Sequence, residues 1–278
     1  MTAIPTQKVN DLARDGYGKG KSEYYDKSRP SYKPEALEIV HKALGPRESI
    51  NVVEFGAGTG IFTRALLSHP SFQSTISALK AIEPSEDMRG FFSKAVTDSR
   101  VNIAEGTFDS ATGVEDGWAD LIVTAQALHW CPDYEAAARE FARVLKPNGI
   151  TACIWNLEDR DRARWVANLR DSFEANKNRP SYYSGLWRTI FSTPSYDLDF
   201  YPHEETVFSY TIPATEQTVQ GRICSISYMA IEPPDVQKKA RETIHEIVEK
   251  DEEKVWIDKE NGVFEYPYKT SVVVFRRK

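Results

Sequence analysis

Along the first 155 residues, apolar positions switch between the spacing of a helix and the run of a buried strand. Leu37, Val40 and Leu44 share one helical face, with Pro34 in the first turn and Gly45 after the last, which predicts a helix over 34–44. Ile50, Val52, Val53 and Phe55 then form a short apolar strand that runs straight into glycines. The same reading places a helix at 61–67, a strand at 78–82, a helix at 86–95, and strands at 101–104 and 121–125. Residues 134–145 carry Ala138, Phe141 and Leu145 on one face of an amphipathic helix. The turn residues Lys146, Pro147, Asn148 and Gly149 lead into a fifth strand at 150–155. Strands alternating with helices predict an α/β fold, a parallel sheet covered on both faces.

The pattern changes after Trp155. Trp165, Leu169 and Phe173 mark a helix over 159–176, whereas 180–201 is rich in Tyr, Trp, Ser and Pro and has no period. Residues 157–205 therefore read as a cap inserted over the sheet edge. A sixth strand is expected at 206–210, a helix at 236–250, and a last strand at 271–275. That last strand is apolar throughout, which puts it inside the sheet rather than at its edge.

Composition narrows the class. A chain of 278 residues buries roughly 75% of its unfolded surface and needs no metal or disulfide to fold. One domain over 1–278 is expected, with residues 1–30 as an N-terminal arm. A net charge of −6 disfavours nucleic acid or an anionic membrane as partner, and no apolar run reaches the ~18 residues of a membrane span. The start of the chain has no apolar core of a signal peptide. Cys131, Cys153 and Cys224 are odd in number and scattered, which reads as free thiols of a reducing, cytoplasmic compartment. No cysteine spacing suits a zinc or iron–sulfur site, so no metal is expected.

The informative segment is the strand end Val52, Val53, Glu54, Phe55 followed by Gly56, Ala57, Gly58, Thr59 and Gly60. Glycines let a ligand approach the backbone closely. Dinucleotides and S-adenosylmethionine both use such a turn. The dinucleotide fingerprint wants a third glycine five positions after the first, and that position is Ile61. Charge separates the two further. Glu54 facing a pyrophosphate at ~5 Å, with an effective dielectric of ~20, costs roughly 3 kcal/mol. S-adenosylmethionine carries an ammonium and a sulfonium and no phosphate, so Glu54 suits it. A second carboxylate, Glu83, ends the next strand before Pro84, about where an acceptor-only side chain takes both ribose hydroxyls of an adenosine.

Residues 52–60, the Glu83 strand end, 120–130 and 140–149 resemble the motifs of class I S-adenosylmethionine-dependent methyltransferases. Residues 25–32, the run Gln126, Ala127, Leu128, His129, Trp130, and residues 266–270 narrow the resemblance to the trans-aconitate and cantharidin-type branch of small-molecule methyltransferases. It covers 24–155 well and 206–276 loosely. It implies a Rossmann-like seven-stranded sheet, mostly parallel, with the last strand antiparallel and inserted between strands five and six. It implies S-adenosyl-L-methionine held by Tyr25, Arg29, Glu54, Gly56, Ala57, Gly58, Thr59, Glu83, Pro84, Met88, Thr107, Phe108, Ala125 and Gln126. Thr107 departs from the acid usual at the adenine site, and Phe108 with Met88 is suited to sandwich the ring.

Ligands of open α/β sheets bind beyond the carboxyl ends of the strands, so Gln126, His129 and Trp130 project from the fourth strand toward the methyl donor. His129, Trp130 and Trp155 are the expected substrate contacts, and His129 is the candidate base or orienting residue. The cap adds Arg160, Arg162, Arg164, Arg170, Arg179 and Arg188, a residue type that clamps carboxylates. The expected activity is methyl transfer to a small-molecule oxygen, either carboxylate or hydroxyl, by a monomer or homodimer. Rival readings are a protein or RNA methyltransferase, which an added basic or peptide-binding domain would favour, and a non-catalytic S-adenosylmethionine-binding protein. Intact Gly56, Gly58, Gly60 and Glu83 argue against the latter, while Glu54 and Ile61 disfavour a nucleotide-dependent oxidoreductase.

Overall fold

A computed structural model describes residues 20–109, 112–173 and 180–278. Strands β1 (Ile50–Phe55), β2 (Ile76–Ile82), β3 (Val101–Ala104), β4 (Ala119–Ala125) and β5 (Leu145–Glu158) are parallel neighbours. Strands β6 (Glu204–Ala214), β7 (Trp256–Asp258) and β8 (Val263–Arg276) complete a sheet of order β3-β2-β1-β4-β5-β8-β6, with β7 paired to β8. β8 is antiparallel to both of its neighbours and lies between β5 and β6, as expected. The short β7 is an eighth strand that the sequence pattern does not announce.

The register explains where a site forms. Phe55 pairs with Ile82, and Ala125 with Ile154, so the carboxyl ends of β1, β2 and β4 stand in one row at the level of Ile154, and β5 runs four residues past it. β4 is buried at all seven positions, as a central parallel strand must be. One face packs Val53, Phe55, Ile122 and Trp155 under the Tyr134–Val144 helix; the other packs Val52, Leu121 and Ile154 under the Pro34–Leu44 and Ile61–Ser68 helices.

β6 and β8 are longer than expected and run on past the last β5–β8 pair, Glu158 with Tyr268. That extension seats a third apolar cluster of Trp165, Leu169, Val219, Ile223, Ile244 and Tyr266. It joins the helices Arg164–Phe173, Glu216–Cys224 and Pro234–Lys250 into a roof above the strand ends. The roof thus draws on residues beyond the 157–205 segment. Within that segment Trp187, Phe191, Tyr196 and Phe200 pack against Trp155 and Phe275 on the sheet.

Residues 1–19 of the expected arm lie outside the described residues, as do 174–179, which include the last three positions of the expected 159–176 helix. Lys21–Ser28 is a helix that periodicity does not predict. It is docked by polar contacts: Lys21 Nζ donates to the Ala230 carbonyl at 2.7 Å, and Asp26 pairs with Arg64 at 2.7 Å. Glu216–Cys224 is likewise unannounced, and starts at a capping box of Thr215 and Thr218.

Candidate functional site

The site begins where β1 ends. Glu54 is fully buried, and its Oε2 accepts from the Thr63 hydroxyl at 2.6 Å. The backbone N–H groups of Gly56 and Ala57 donate to the Ile82 carbonyl at 2.8 and 3.2 Å, folding the turn over β2. Gly56 and Gly58 have φ of +69° and +56°, which L side chains rarely adopt. A Cβ on Gly56 would meet Ala127 Cβ at 2.5 Å, whereas a Cβ on Gly58 would meet only Met88 Sδ, at 3.6 Å. Gly58 therefore leaves room above the turn.

Glu83 closes the turn from the neighbouring strand. Its Oε2 accepts from Gly58 N–H and its Oε1 from Ser85 N–H, each at 2.9 Å. Each oxygen keeps a second lone pair. Burial pushes the Glu83 carboxyl up to about 7, against the pull of those two N–H donors and Arg89. Burial likewise pushes Glu54 up to about 8, opposed by its bond from Thr63. Thr107, at the acid position, donates to Asp109 Oδ1 at 2.5 Å. An acid is thus present two residues on, behind the threonine. Met88 and Phe108 are both buried on the cavity wall, and Phe108 also stacks on Phe55.

β4 delivers Gln126 in the left-handed region, at φ +56°, a conformation that costs a non-glycine residue on the order of 1 kcal/mol or more. Its amide is held there by Nε2 donating to the Asn156 carbonyl at 2.6 Å. The turn Leu128–Trp130 then places His129. Trp155 Nε1 donates to His129 Nδ1 at 3.2 Å. An indole N–H only donates, so Nδ1 is the acceptor and the ring proton sits on Nε2. Burial, with Arg29 nearby, pushes the imidazole down to about 3, so it is neutral across the physiological range.

One cavity of about 200 Å³ collects these groups. Every residue expected to hold the cofactor is on its wall, from Tyr25 and Arg29 to Ala125 and Gln126, together with His129 and Trp130. Trp155 is the correction. It is fully buried behind His129, in a stack with Trp187 and Tyr182, and does not line the cavity. Alternation along β5 turns Ile154 to one face and Trp155 to the other, where the 182–191 turns cover it.

The roof contributes what the sequence reading missed. Glu158, the last residue of β5, is fully buried. Arg170 Nη1 and Arg222 Nε approach its two oxygens, each at 2.8 Å. Burial pushes the Glu158 carboxyl up, but Arg222 and Arg170 outweigh it and hold the group below the usual range. Glu158, Arg170 and Arg222 all line the cavity, as do Tyr183 and Tyr228. Of the cap arginines, Arg160 pairs with Asp171 and Arg188 with Glu205 at the surface, and Arg179 lies outside the described residues. The signal for Glu158 was present in the sequence: an acid closing an apolar strand, like Glu54 and Glu83.

Arg29 crosses the cavity mouth, with its guanidinium 4.5 Å from the centre of the Tyr25 ring and Nη2 donating to the Ser225 carbonyl at 2.8 Å. Among the described residues, no group of three or more His, Cys, Asp or Glu is placed to hold a metal, and no helix is long and apolar enough to cross a membrane.

A family profile described as a methyltransferase domain matches residues 53–153, the span from β1 to β5. An uncharacterized methyltransferase-like protein of Schizosaccharomyces pombe is 26% identical over 232 residues, covering 80% of this chain and 82% of that one. Among solved structures, the YcgJ protein of Bacillus subtilis superposes with a TM-score of 0.53 at 17% identity, over 88% of this chain and 99% of that one. Phosphoethanolamine N-methyltransferase 2 of Haemonchus contortus, solved with S-adenosylhomocysteine, gives 0.57 at 13% identity, over 99% of this chain and 61% of that one. At such identities the structures show the fold alone. With the domain match and the relatives, the chain is an S-adenosylmethionine-dependent methyltransferase of the class I architecture.

Proposed function

We propose that this enzyme methylates an oxygen of a small molecule, that the acceptor is a carboxylate, and that it works in the manner of the trans-aconitate and cantharidin-type enzymes its motifs resemble. The observation that carries this reading is the state of His129. With Nδ1 occupied by the Trp155 indole N–H, the ring offers the site an Nε2–H donor and no basic nitrogen. A hydroxyl or thiol acceptor must lose a proton in the reaction, whereas a carboxylate, with a reference pKa near 4, is already ionised. The roof agrees: Arg170 and Arg222 both reach the cavity wall beside Glu158, and guanidinium groups suit an anionic acceptor.

The residues fit S-adenosylmethionine. The open space above Gly58 is a cradle that a Cβ would enter, and the free lone pairs of Glu83 suit two ribose hydroxyls. Thr107, with Asp109 behind it, and the Met88–Phe108 pair suit an adenine. Tyr25, Arg29, Glu54, Ala125 and Gln126 are left for the amino-acid end, with Pro84 and the Gly56–Thr59 turn between. When bound, the cofactor supplies a methyl group on a positively charged sulfur, open to direct displacement. Around it the chain binds, orients and excludes water. His129 Nε2–H donates to the acceptor, Trp130 walls it, and the roof closes above. In-line placement at ~3–3.5 Å is the main demand of such a displacement.

A methyl-transfer screen of small acids, phenols and amines tests the reading, with methyl esters as the expected products. His129→Ala should then lower kcat/KM about tenfold or less, and His129→Gln less still, since the amide keeps a donor. At saturating S-adenosylmethionine the rate should stay level as pH falls through 6.5. A loss of 10²–10⁴-fold with a vanished limb of the pH profile would make His129 a base and the acceptor a hydroxyl or thiol.

The N-terminal helix gives a further expected result. Lys21, Asp26 and Arg29 tie it to Ala230, Arg64 and Ser225, across the cavity mouth. Removing residues 1–30 should leave a folded protein, because the sheet begins at Ile50, with much weaker cofactor binding. Circular dichroism and calorimetry on the truncated chain check both, and unchanged affinity would show that the helix is no lid.

A further inference from the structure

We propose that Arg222 is the residue that recognises the acceptor's carboxylate, with Glu158 as its positioning residue; this rests on the carboxylate reading above. Arg222 lies on the Glu216–Cys224 helix, is 7% exposed and lines the cavity. Its Nε meets Glu158 Oε1 at 2.8 Å, with the Tyr268 hydroxyl beside it, and its Nη1 is buried with no hydrogen-bond partner. A buried guanidinium N–H without an acceptor is costly, and an arginine left one short beside a cavity is matched by a ligand oxygen.

Charge points the same way. The other oxygen of Glu158 is already engaged by Arg170 Nη1 at 2.8 Å, so two guanidinium groups share one carboxylate inside a buried cluster. A guanidinium on a cavity wall is the group that clamps a carboxylate. Arg170 is the member hydrogen-bonded to Glu158, whereas Arg222 meets it as an ion pair through Nε and keeps its fork end uncommitted at Nη1.

Position separates Glu158 from the two carboxylates of the glycine turn. Glu54 and Glu83 end β1 and β2, whereas Glu158 ends β5, on the far side of β4. It stands four residues past Ile154, the partner of Ala125, which places it roughly 13 Å beyond the row of strand ends at ~3.3 Å per residue. Arg222 also shares a smaller hollow with Tyr25, Arg29 and Gln126, so a group it holds lies next to the amino-acid end of the cofactor, under the roof.

The test uses the full chain saturated with S-adenosylhomocysteine, so that no reaction occurs. Calorimetry compares octanoate, benzoate and succinate with their neutral amides, for the unchanged protein and for Arg222→Met and Arg222→Lys. Arg222→Met leaves Glu158 paired one to one with Arg170, so the fold is expected to hold. The unchanged protein should prefer at least one acid to its amide. Arg222→Met should reduce that preference at least tenfold, and Arg222→Lys should restore part of it. Amide and S-adenosylhomocysteine affinities should move less than threefold. If the preference survives Arg222→Met, Arg222 is only a strut of the roof. If the loss falls on S-adenosylhomocysteine, Arg222 serves the cofactor instead; either result overturns the proposal. If the unchanged protein prefers no acid in binding and methylates none, the carboxylate reading itself fails and this assignment falls with it.

Discussion

Glu83→Ala is expected to weaken S-adenosylmethionine binding by about 1.5–3 kcal/mol, roughly ten- to a hundred-fold, because charge-assisted hydrogen bonds to the ribose are lost. The effect should depend on pH. In the ligand-free protein, burial pushes the Glu83 carboxyl up to about 7. Ribose hydroxyls donate to the ionised form, so binding draws that value back down and releases a proton near neutrality. Affinity should therefore be complete above about pH 8 and fall as pH drops through 7, by up to tenfold per unit for this one group. Glu83→Gln should remove that part of the slope. Titration calorimetry in buffers of different ionisation enthalpy reads both affinity and proton release. Unchanged affinity in Glu83→Ala would move the ribose contact to another residue.

The strands, the glycine turn and the two carboxylates at β1 and β2 were legible because their signals are local. Apolar runs end in residues that a buried strand end cannot carry without a partner, and Gly56 sits where φ is positive. Position 107 was half legible: the acid that Thr107 lacks is Asp109, found only once the hydroxyl contact between them is seen. Trp155 was misplaced because a strand's residue order does not say which face each end residue meets. Its face is decided by the 182–191 turns, whose segment has no period to read.

The roof was not legible, for a reason common to its parts. Lys21–Ser28 has no apolar stripe; it is stable because Lys21 reaches Ala230, 209 positions away. Glu216–Cys224 contains Gly221, a poor helix former in isolation. A Cβ at Gly221 would sit 3.3 Å from Ser28 Oγ, so the glycine lets the two helices approach. Contacts of such sequence separation leave no periodic trace, and the arginines on these helices look like any solvated basic residue until Glu158 is placed between them.

Glu158→Ala should be the most damaging single substitution outside the apolar core. It leaves Arg170 and Arg222, 8% exposed each, buried without the carboxylate that both address. Breaking a buried ion pair by removing one partner costs about 3–5 kcal/mol, a large share of the roughly 5–15 kcal/mol that stabilises a domain. Here one deletion takes a shared carboxylate from two cations on separate helices, so the Arg164–Phe173 and Glu216–Cys224 segments should part and open the cavity. Glu158→Gln keeps the shape and a carbonyl acceptor and should cost less. Adding Arg170→Met to Glu158→Gln should recover part of the stability, because it removes a buried cation whose bond to the Glu158 carboxylate has become a bond to a neutral amide. The sign with pH follows from the carboxyl lying below its usual value in the folded protein. Its contribution is present above the unfolded pKa of about 4.3 and is lost as pH falls through the lower, folded value. Urea denaturation of the three variants and the unchanged protein at pH 7 and pH 3.5 measures this. The gap between Glu158→Ala and the unchanged protein should be several kcal/mol at pH 7 and smaller at pH 3.5. A gap under about 1 kcal/mol at pH 7, the scale of a solvent-exposed pair, would mean that the cluster is hydrated and holds nothing closed.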